Sequence, residues 1–252
     1  WEAGDLDFKR TFLKRFWNTR AASSGVTVAE RLAEHYQRLA LAHERYRRTS
    51  KRGAAPVASI VQKKYAQDML PFDDRGLIFA RHGEPDEIVR TSDVDLRANE
   101  TWVYYDEPSN RIFNFVVLRD ASDYRLVEDV LAALDPSTAG GFPASAAAKL
   151  LRDRQKYEPR YAAMAERYEA SERLSSRVTG VSTMSSLQGA EDTRIRISAE
   201  MREQAMLALE SDSHEPNFTG DLPFYYDLYS FKGPADMTAV TVAAAIPGTS
   251  VS

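Results

Sequence analysis

The chain has 252 residues, 43% hydrophobic and 28% charged, enough for one large domain or two modest ones with a buried core. Its 37 acidic and 33 basic residues interleave to a net charge of −4, which argues against a nucleic-acid footprint and against a polybasic membrane anchor. Cysteine is absent, which excludes a disulfide scaffold, thiolate metal sites and thiol catalysis, and no apolar run reaches the roughly 18–20 residues of a membrane span.

Residues 5–20 read as a helix with Leu6, Phe12, Leu13, Phe16 and Trp17 on an aromatic-rich face, broken over residues 21–25. A second helix starts at the capping-box sequence Thr27-Val28-Ala29-Glu30, and Leu32, Tyr36, Leu39, His43 and Tyr46 form its apolar stripe. His43 is therefore expected in the core or at an interface. His35 lies eight residues earlier, about 80° around the helix, so the two do not share a metal. A basic linker at 47–56 and a short helix at 57–67 follow.

The period then changes. Strands are expected at residues 77–80, 87–89, 101–105, 112–118 and 124–127, joined by short turns that favour antiparallel neighbours. Gly83 and Pro85 shape the first turn, His82-Gly83-Glu84-Pro85-Asp86. Beyond Val130 the pattern is helical again, with a long helix at 144–174 that Pro159 kinks or breaks, a Ser/Thr/Gly-rich loop or weak hairpin at 177–189 and a helix at 195–209. Residues 223–231 and 238–245 alternate like two strands of a new β unit. The chain starts at Trp1 without an initiator Met or targeting segment and stops just after the last strand, as expected of part of a longer protein.

The residues from Asp74 onward resemble a known pattern. Asp74-Arg75-Gly76, Gly83-Glu84-Pro85-Asp86-Glu87-Ile88, Glu100-Thr101-Trp102-Val103-Tyr104, Phe113-Asn114-Phe115 and Tyr124-Arg125-Leu126-Val127 are similar to the core of the bacterial GWxTD domain. Phe16-Trp17 and the run from Glu34 to Leu39 fit what precedes it, so the resemblance covers roughly the first half of the chain. Where that family has Gly-Trp-x-Thr, this sequence has Leu70-Pro71-Phe72-Asp73. The resemblance implies a secreted or periplasmic multi-domain bacterial protein, often with a β-sandwich following, and it implies no particular chemistry.

Several groups invite a functional reading. His82, Glu84 and Asp86, with Asp73, Asp74 and Glu87 nearby, are the densest set of potential ligands or proton carriers, although one histidine with scattered acids lacks metal-site spacing. The structural reading has Asp74 bonding backbone amides and Arg75 pairing in the interior with Glu100 or Asp86. Trp102, Tyr104, Tyr105, Phe113, Phe115 and Tyr124, and later Phe224, Tyr225, Tyr226, Tyr229 and Phe231, supply core or an aromatic binding face. Nucleophile-elbow, zincin, phosphate-loop and dinucleotide motifs are absent.

The fold class that follows is α+β. Helices and a small antiparallel sheet occupy residues 1–135, a helical segment 136–215, and the first strands of a β-sandwich-like domain 216–252. The favoured function is a non-enzymatic structural or protein-interaction module, with no cofactor, a protein partner and no nucleic acid. A metal-dependent hydrolase centred on residues 82–86 and a carbohydrate-binding aromatic surface are the alternatives.

Overall fold

The computed structural model describes residues 5–49, 60–61, 70–106, 109–117, 123–135, 143–175, 183–213, 225–232 and 238–245. These fall into two compact units, one formed by Trp1–Gln37 with His214–Ser252 and the other by Arg38–Ser213. The second unit runs across the boundary that sequence patterning places at residue 135.

In the first unit, helix α1 (Leu6–Ser24) opens on Asp5, whose side chain accepts from Phe8 N at 2.7 Å. It runs through the alanines expected to break it and stops at Gly25, which takes the positive φ of 69° that a C-cap requires. Helix α2 (Val28–Arg45) starts at the expected capping box: Thr27 N donates to Glu30 Oε2 at 2.7 Å, and Glu30 N to Thr27 Oγ1 at 3.2 Å. Trp17 packs on His35, with ring centroids 5.0 Å apart. Strands β5 (Tyr225–Lys232) and β6 (Thr238–Ala245) pair antiparallel, as their alternation suggests. Phe224 and the linkers at 50–59 and 214–224 lie outside the described residues.

The apolar stripe expected on α2 is not its buried face. Arg31, Glu34, Arg38 and Ala42 are buried, Leu32, Leu39 and Tyr46 are half-buried, and Tyr36 and His43 are exposed. Hydrophobic spacing is blind to this because the buried side chains carry their own partners. Arg31 Nη1 donates to Glu34 Oε2 at 2.7 Å, and Arg38 Nη1 donates to two backbone carbonyls.

The second unit holds a four-stranded antiparallel sheet in sequence order: β1 (Glu87–Val89), β2 (Asn99–Tyr104), β3 (Arg111–Val117) and β4 (Tyr124–Val127). Trp102 faces Phe113 and Thr101 faces Asn114 across β2 and β3, so one sheet face is aromatic and the other carries Asn99, Thr101 and Asn114. Both faces are covered, which is why every residue of β2 is buried. Of the described helical residues expected at 57–67, Ile60 and Val61 are helical and buried, and the rest of that stretch lies outside the description.

The expected strand at 77–80 is a helix, α3 (Asp74–His82). A short apolar run does not distinguish a strand from a helix buried on most sides. What decides it here is Asp73, whose side chain accepts from Arg75 N as an N-cap, and Gly83, which closes the helix at φ 81°. Leu77, Ile78, Phe79 and Ala80 then pack with Trp102, Tyr104, Phe113, Phe115 and Leu126 on the aromatic face of the sheet.

On the opposite face, Ile112, Val116 and Val127 pack with a 3-10 turn (Val130–Ala133), α4 (Ala144–Arg152), α5 (Arg160–Ser175) and α6 (Thr183–Ala208). The helix breaks before Pro159, one of the two outcomes expected there: Pro159 immediately precedes α5, where a missing N–H costs nothing, and Glu158 Oε1 accepts from Arg160 N at 3.1 Å. The expected loop at 177–189 is helical from Thr183 onward. Further along the same helix Thr193 Oγ1 donates to Gly189 O at 2.9 Å, a bond back to the preceding turn. Among the described residues no helix is long and apolar enough to cross a membrane.

Gly76 sits inside α3 because Phe72 lies against it: a Cβ at this position would stand 2.6 Å from the Phe72 ring. Alanine would gain up to about 1 kcal/mol in helix propensity, while overpacking of a buried site costs about 1–3 kcal/mol. Gly76→Ala is expected to lower the midpoint of urea unfolding, and Gly76→Val to lower it further. An unchanged midpoint would show that Phe72 yields without cost.

Candidate functional site

The residues singled out in sequence converge at two places in the second unit. The first is built around Arg75. As the second residue of α3 it leans back on the cap, donating Nη2 to Asp73 Oδ2 at 2.8 Å and Nε to the same oxygen at 3.1 Å. Its Nη1 reaches Glu100 Oε1 on β2 at 3.3 Å. The guanidinium lies 3.7 Å above the Tyr124 ring and 5.2 Å from that of Tyr46. Glu100 uses its other oxygen to accept from Trp102 Nε1 at 2.9 Å, and Arg90 approaches its first at 2.9 Å. Of the two partners expected for Arg75, Glu100 is the one it meets and Asp86 is not; Asp73, its closer partner, is the addition.

Asp74 faces the other way. Its Oδ2 accepts from Leu126 N on β4 at 2.8 Å and its Oδ1 lies 3.5 Å from Arg125 Nη1. Adjacent carboxylates thereby serve different jobs, Asp73 capping the helix and holding Arg75, Asp74 stitching the helix to the edge strand. Trp102 is wholly buried, fixed by its bond to Glu100 and by the rings of Tyr46 and Phe115 at 5.4 and 5.0 Å.

The second place is the turn after α3, and here the expected ligands diverge. His82 is wholly buried: Nε2 lies 2.9 Å from Ala208 O, and Nδ1 lies 2.7 Å from Arg111 Nη1 and 2.9 Å from Ser213 Oγ. A guanidinium offers only donors, so Nδ1 is the acceptor and the proton resides on Nε2, given to Ala208 O. Glu84 instead points outward to an ion pair with Arg45 at 2.7 Å, and Asp86 accepts from Tyr105 N at 2.7 Å. Pro85 is buried beside them. Among the described residues no group of three or more His, Cys, Asp or Glu side chains is placed to hold a metal ion.

Ser213 and His82 have the separation of a nucleophile and its base, but the arrangement opposes that chemistry. The Nδ1 lone pair is already aimed at Arg111. Burial, followed by the charges of Arg111, Arg81 and Arg38, pushes the imidazole down to about 3, so it stays neutral through the physiological range. Arg111 is itself held by Asp106, and its Nη2 donates to Ser213 Oγ at 3.0 Å. Arg38 finishes the turn by donating to Arg81 O at 3.1 Å, a carbonyl at the C-terminal end of α3, and to Ser213 O at 2.7 Å in the segment after α6. Gly83 is needed beside it, since a Cβ there would stand 3.0 Å from Arg38 Nη2. Tyr104 Oη donates to Gly83 O at 2.9 Å.

A third polar centre had no sequence signal. Arg154, between α4 and α5, is buried against the polar sheet face and places all five N–H groups: Nε to Thr101 Oγ1 at 2.6 Å, Nη1 to Thr91 Oγ1 at 2.7 Å and Leu150 O at 3.0 Å, Nη2 to Asn99 Oδ1 at 2.7 Å and Val89 O at 3.4 Å. Burial lowers its pKa to about 10, which leaves it charged at neutral pH. Asp153 is linked through Thr91, whose hydroxyl donates to it at 2.6 Å.

The aromatic face foreseen for ligands is interior. Trp102, Tyr104, Phe113 and Phe115 are buried and Tyr124 is half-buried, leaving Tyr105 as the exposed ring of that set. Side chains of Tyr225, Tyr226, Tyr229 and Phe231 lie outside the described atoms. A carbohydrate platform on this sheet is therefore removed, because the rings are committed to contacts with α3 and with one another.

Removing Arg75 leaves Asp73 and Glu100 charged and buried. Arg75→Ala is expected to cost about 2–4 kcal/mol of unfolding free energy, below the full buried-pair range because the guanidinium is partly exposed. Arg75→Lys should recover less than half, lacking the planar fork. Equal stability of both variants to the parent in denaturant titrations would remove the hub assignment. For His82 the sign is set by linkage. The unfolded chain takes up the proton near pH 6.5 and the folded one only near 3, so stability falls as pH drops from about 6.5 towards 3. His82→Asn should flatten that part of the stability profile relative to the parent. Parallel profiles for the two proteins would show that the ring is free to protonate.

Compared with protein-family models, with curated proteins and with solved structures, the chain matches none, and the roles given to these residues rest on their geometry.

Proposed function

We propose that the Arg38–Ser213 unit is a non-catalytic scaffold, a structural or protein-interaction module of an exported bacterial multi-domain protein. The observation that carries this reading is the use made of its conspicuous charged groups. Asp73, Asp74, Arg75, His82, Glu100 and Arg154 all direct polar atoms at other groups of the protein, backbone or side chain. Such a network stiffens the sheet against α3 on one face and the α4–α5 junction on the other, and rigid elements are what a docking surface needs. The bacterial and exported parts of the proposal draw on the resemblance to the GWxTD domain between Asp74 and Val127.

Exposed apolar side chains on this unit support the reading. Val94, Tyr105, Ile195 and Leu207 are exposed, and α6 carries Ile195, Ser198, Arg202 and Met206 along one groove with Glu128 and Asp129 on its far wall. Amine-reactive cross-linking of the full-length protein in its own cells tests the reading, because Lys149 and Lys156 are well exposed. Cross-links from these lysines to defined sites on another envelope chain are expected. A full-length protein that runs as a monomer with no inter-chain cross-link, or that turns over a substrate with His82→Asn inactive, would sink it.

A further inference from the structure

The two edges of the four-stranded sheet are finished differently. Val117 N donates to Ala98 O at 2.9 Å, and β2 pairs with β3 in the register that sets Trp102 against Phe113. Backbone groups alternate along an antiparallel pair, so Glu100, Trp102 and Tyr104 bond towards β3 while Thr101 and Val103 bond towards β1. By the same alternation Tyr124 and Leu126 turn their N–H groups outward from β4. Both are taken: Tyr124 N donates to Asp73 Oδ2 at 3.2 Å and Leu126 N to Asp74 Oδ2 at 2.8 Å. The carboxylates at the start of α3 thus close that edge.

The edge at β1 is not closed in this way. Thr101 and Val103 meet Val89 and Glu87, so Ile88 between them carries its N–H and C=O outward. Neither group bonds to another described residue. Glu87, Ile88 and Val89 are half-buried, and Asp86 and Arg90 beyond either end of β1 are exposed. Ile88 lies opposite Trp102 and packs at the margin of the aromatic face, with Asp86 and Arg90 two residues to either side of it. Each charge has a partner within the chain, Asp86 through Oδ2 to Tyr105 N and Arg90 through Nε and Nη2 to Glu100, and the Arg90 side chain remains 61% exposed.

We propose that β1 pairs antiparallel with β1 of a second copy of the chain, about a twofold axis at Ile88, joining two four-stranded sheets into one. The residues around the edge select this occupant. Reversal about Ile88 matches its outward N–H and C=O to those of the copy and sets Asp86 against Arg90 on both sides of the axis. One short segment is therefore its own complement, apolar at the centre and of opposite charge at its two ends. A register shifted by two residues either way sets Ile88 against a charge, so the same residues that favour this pairing disfavour its neighbours.

The pairing is independent of the scaffold reading and is tested on the purified chain. Cysteine is absent from the sequence, so Ile88→Cys places a single thiol at the axis. Facing residues of a hydrogen-bonded antiparallel pair stand about 5.5 Å apart at Cα, within disulfide range. Mild oxidation is expected to link Ile88→Cys into a dimer and to leave Val94→Cys, at a position 85% exposed, monomeric. Equal linking of both, or no linking of Ile88→Cys, would overturn the proposal. Arg90→Glu and Asp86→Lys should each weaken self-association about ten-fold in sedimentation equilibrium, two attractive cross-strand pairs having become repulsive. An equimolar mixture of the two variants should regain it, because every facing pair then carries opposite charges. A mixture as weak as its components, or association indifferent to both substitutions, would also overturn it. So would a parent chain that stays monomeric, an outcome that leaves the scaffold reading standing because that reading rests on links to a different chain.

Discussion

The guanidinium of Arg75 is the point from which most of the second unit can be reconstructed. One planar group meets the N-cap of α3, the middle strand β2 and the rings of Tyr46 and Tyr124. An ammonium could satisfy one of these contacts at a time; the fork satisfies them together because its donors and its flat faces point in different directions. Asp73 is the residue that makes this possible. It turns the chain into α3, so Arg75 is presented to the sheet at an angle fixed by the helix start. Through Glu100 the same contact reaches Trp102, and Trp102 anchors the aromatic face.

The sheet's two faces are held by different physics. On the α3 side the contacts are rings and aliphatic chains, with charges confined to the rim formed by Asp73, Arg75 and Glu100. On the α4–α5 side a single buried cation, Arg154, is solvated by threonine, asparagine and carbonyl oxygens in place of a carboxylate. Dispersing the charge over five bonds avoids the alternative of an exchangeable ion pair and ties three β-unit segments to one helix junction. Such bonds add little net stability over an apolar substitute, but they reward one register, since a slip of one residue would turn Asn99 and Thr101 away.

How much of this was legible in the residues varies by element for physical reasons. The capping box at Thr27 and the sheet strands from Glu87 onward follow from local chemistry and are present, whereas local chemistry left Arg75 a choice between Glu100 and Asp86 that the sheet decides for Glu100. The run Leu77–Ala80 misled because periodicity fails for a short segment buried on most sides; the decisive residue, Asp73, lies outside the run. The buried stripe of α2 was illegible because arginine and glutamate fill it: Arg31 and Glu34 pair with each other, and the partners of Arg38 are carbonyls remote in sequence. His82 was legible as conspicuous but not as inert. Its neutrality depends first on burial and then on the charges of Arg111, Arg81 and Arg38, and no spacing within residues 82–86 contains these.

That last case bears on how a histidine-acid turn should be weighed. The same five residues offer an imidazole and two carboxylates, and an inventory of types would call them a ligand set. Direction overrules inventory: the imidazole points into the core, Glu84 out to Arg45, and Asp86 along the backbone to Tyr105. Gly83 and Pro85 enforce the divergence, one through its positive φ beside Arg38, the other through its fixed φ at a buried position. A turn built to send three side chains three ways stabilises the junction between a helix, a strand and the segment after α6. The conspicuous residues of this turn are thus spent on folding, each held by partners that lie outside the five-residue run.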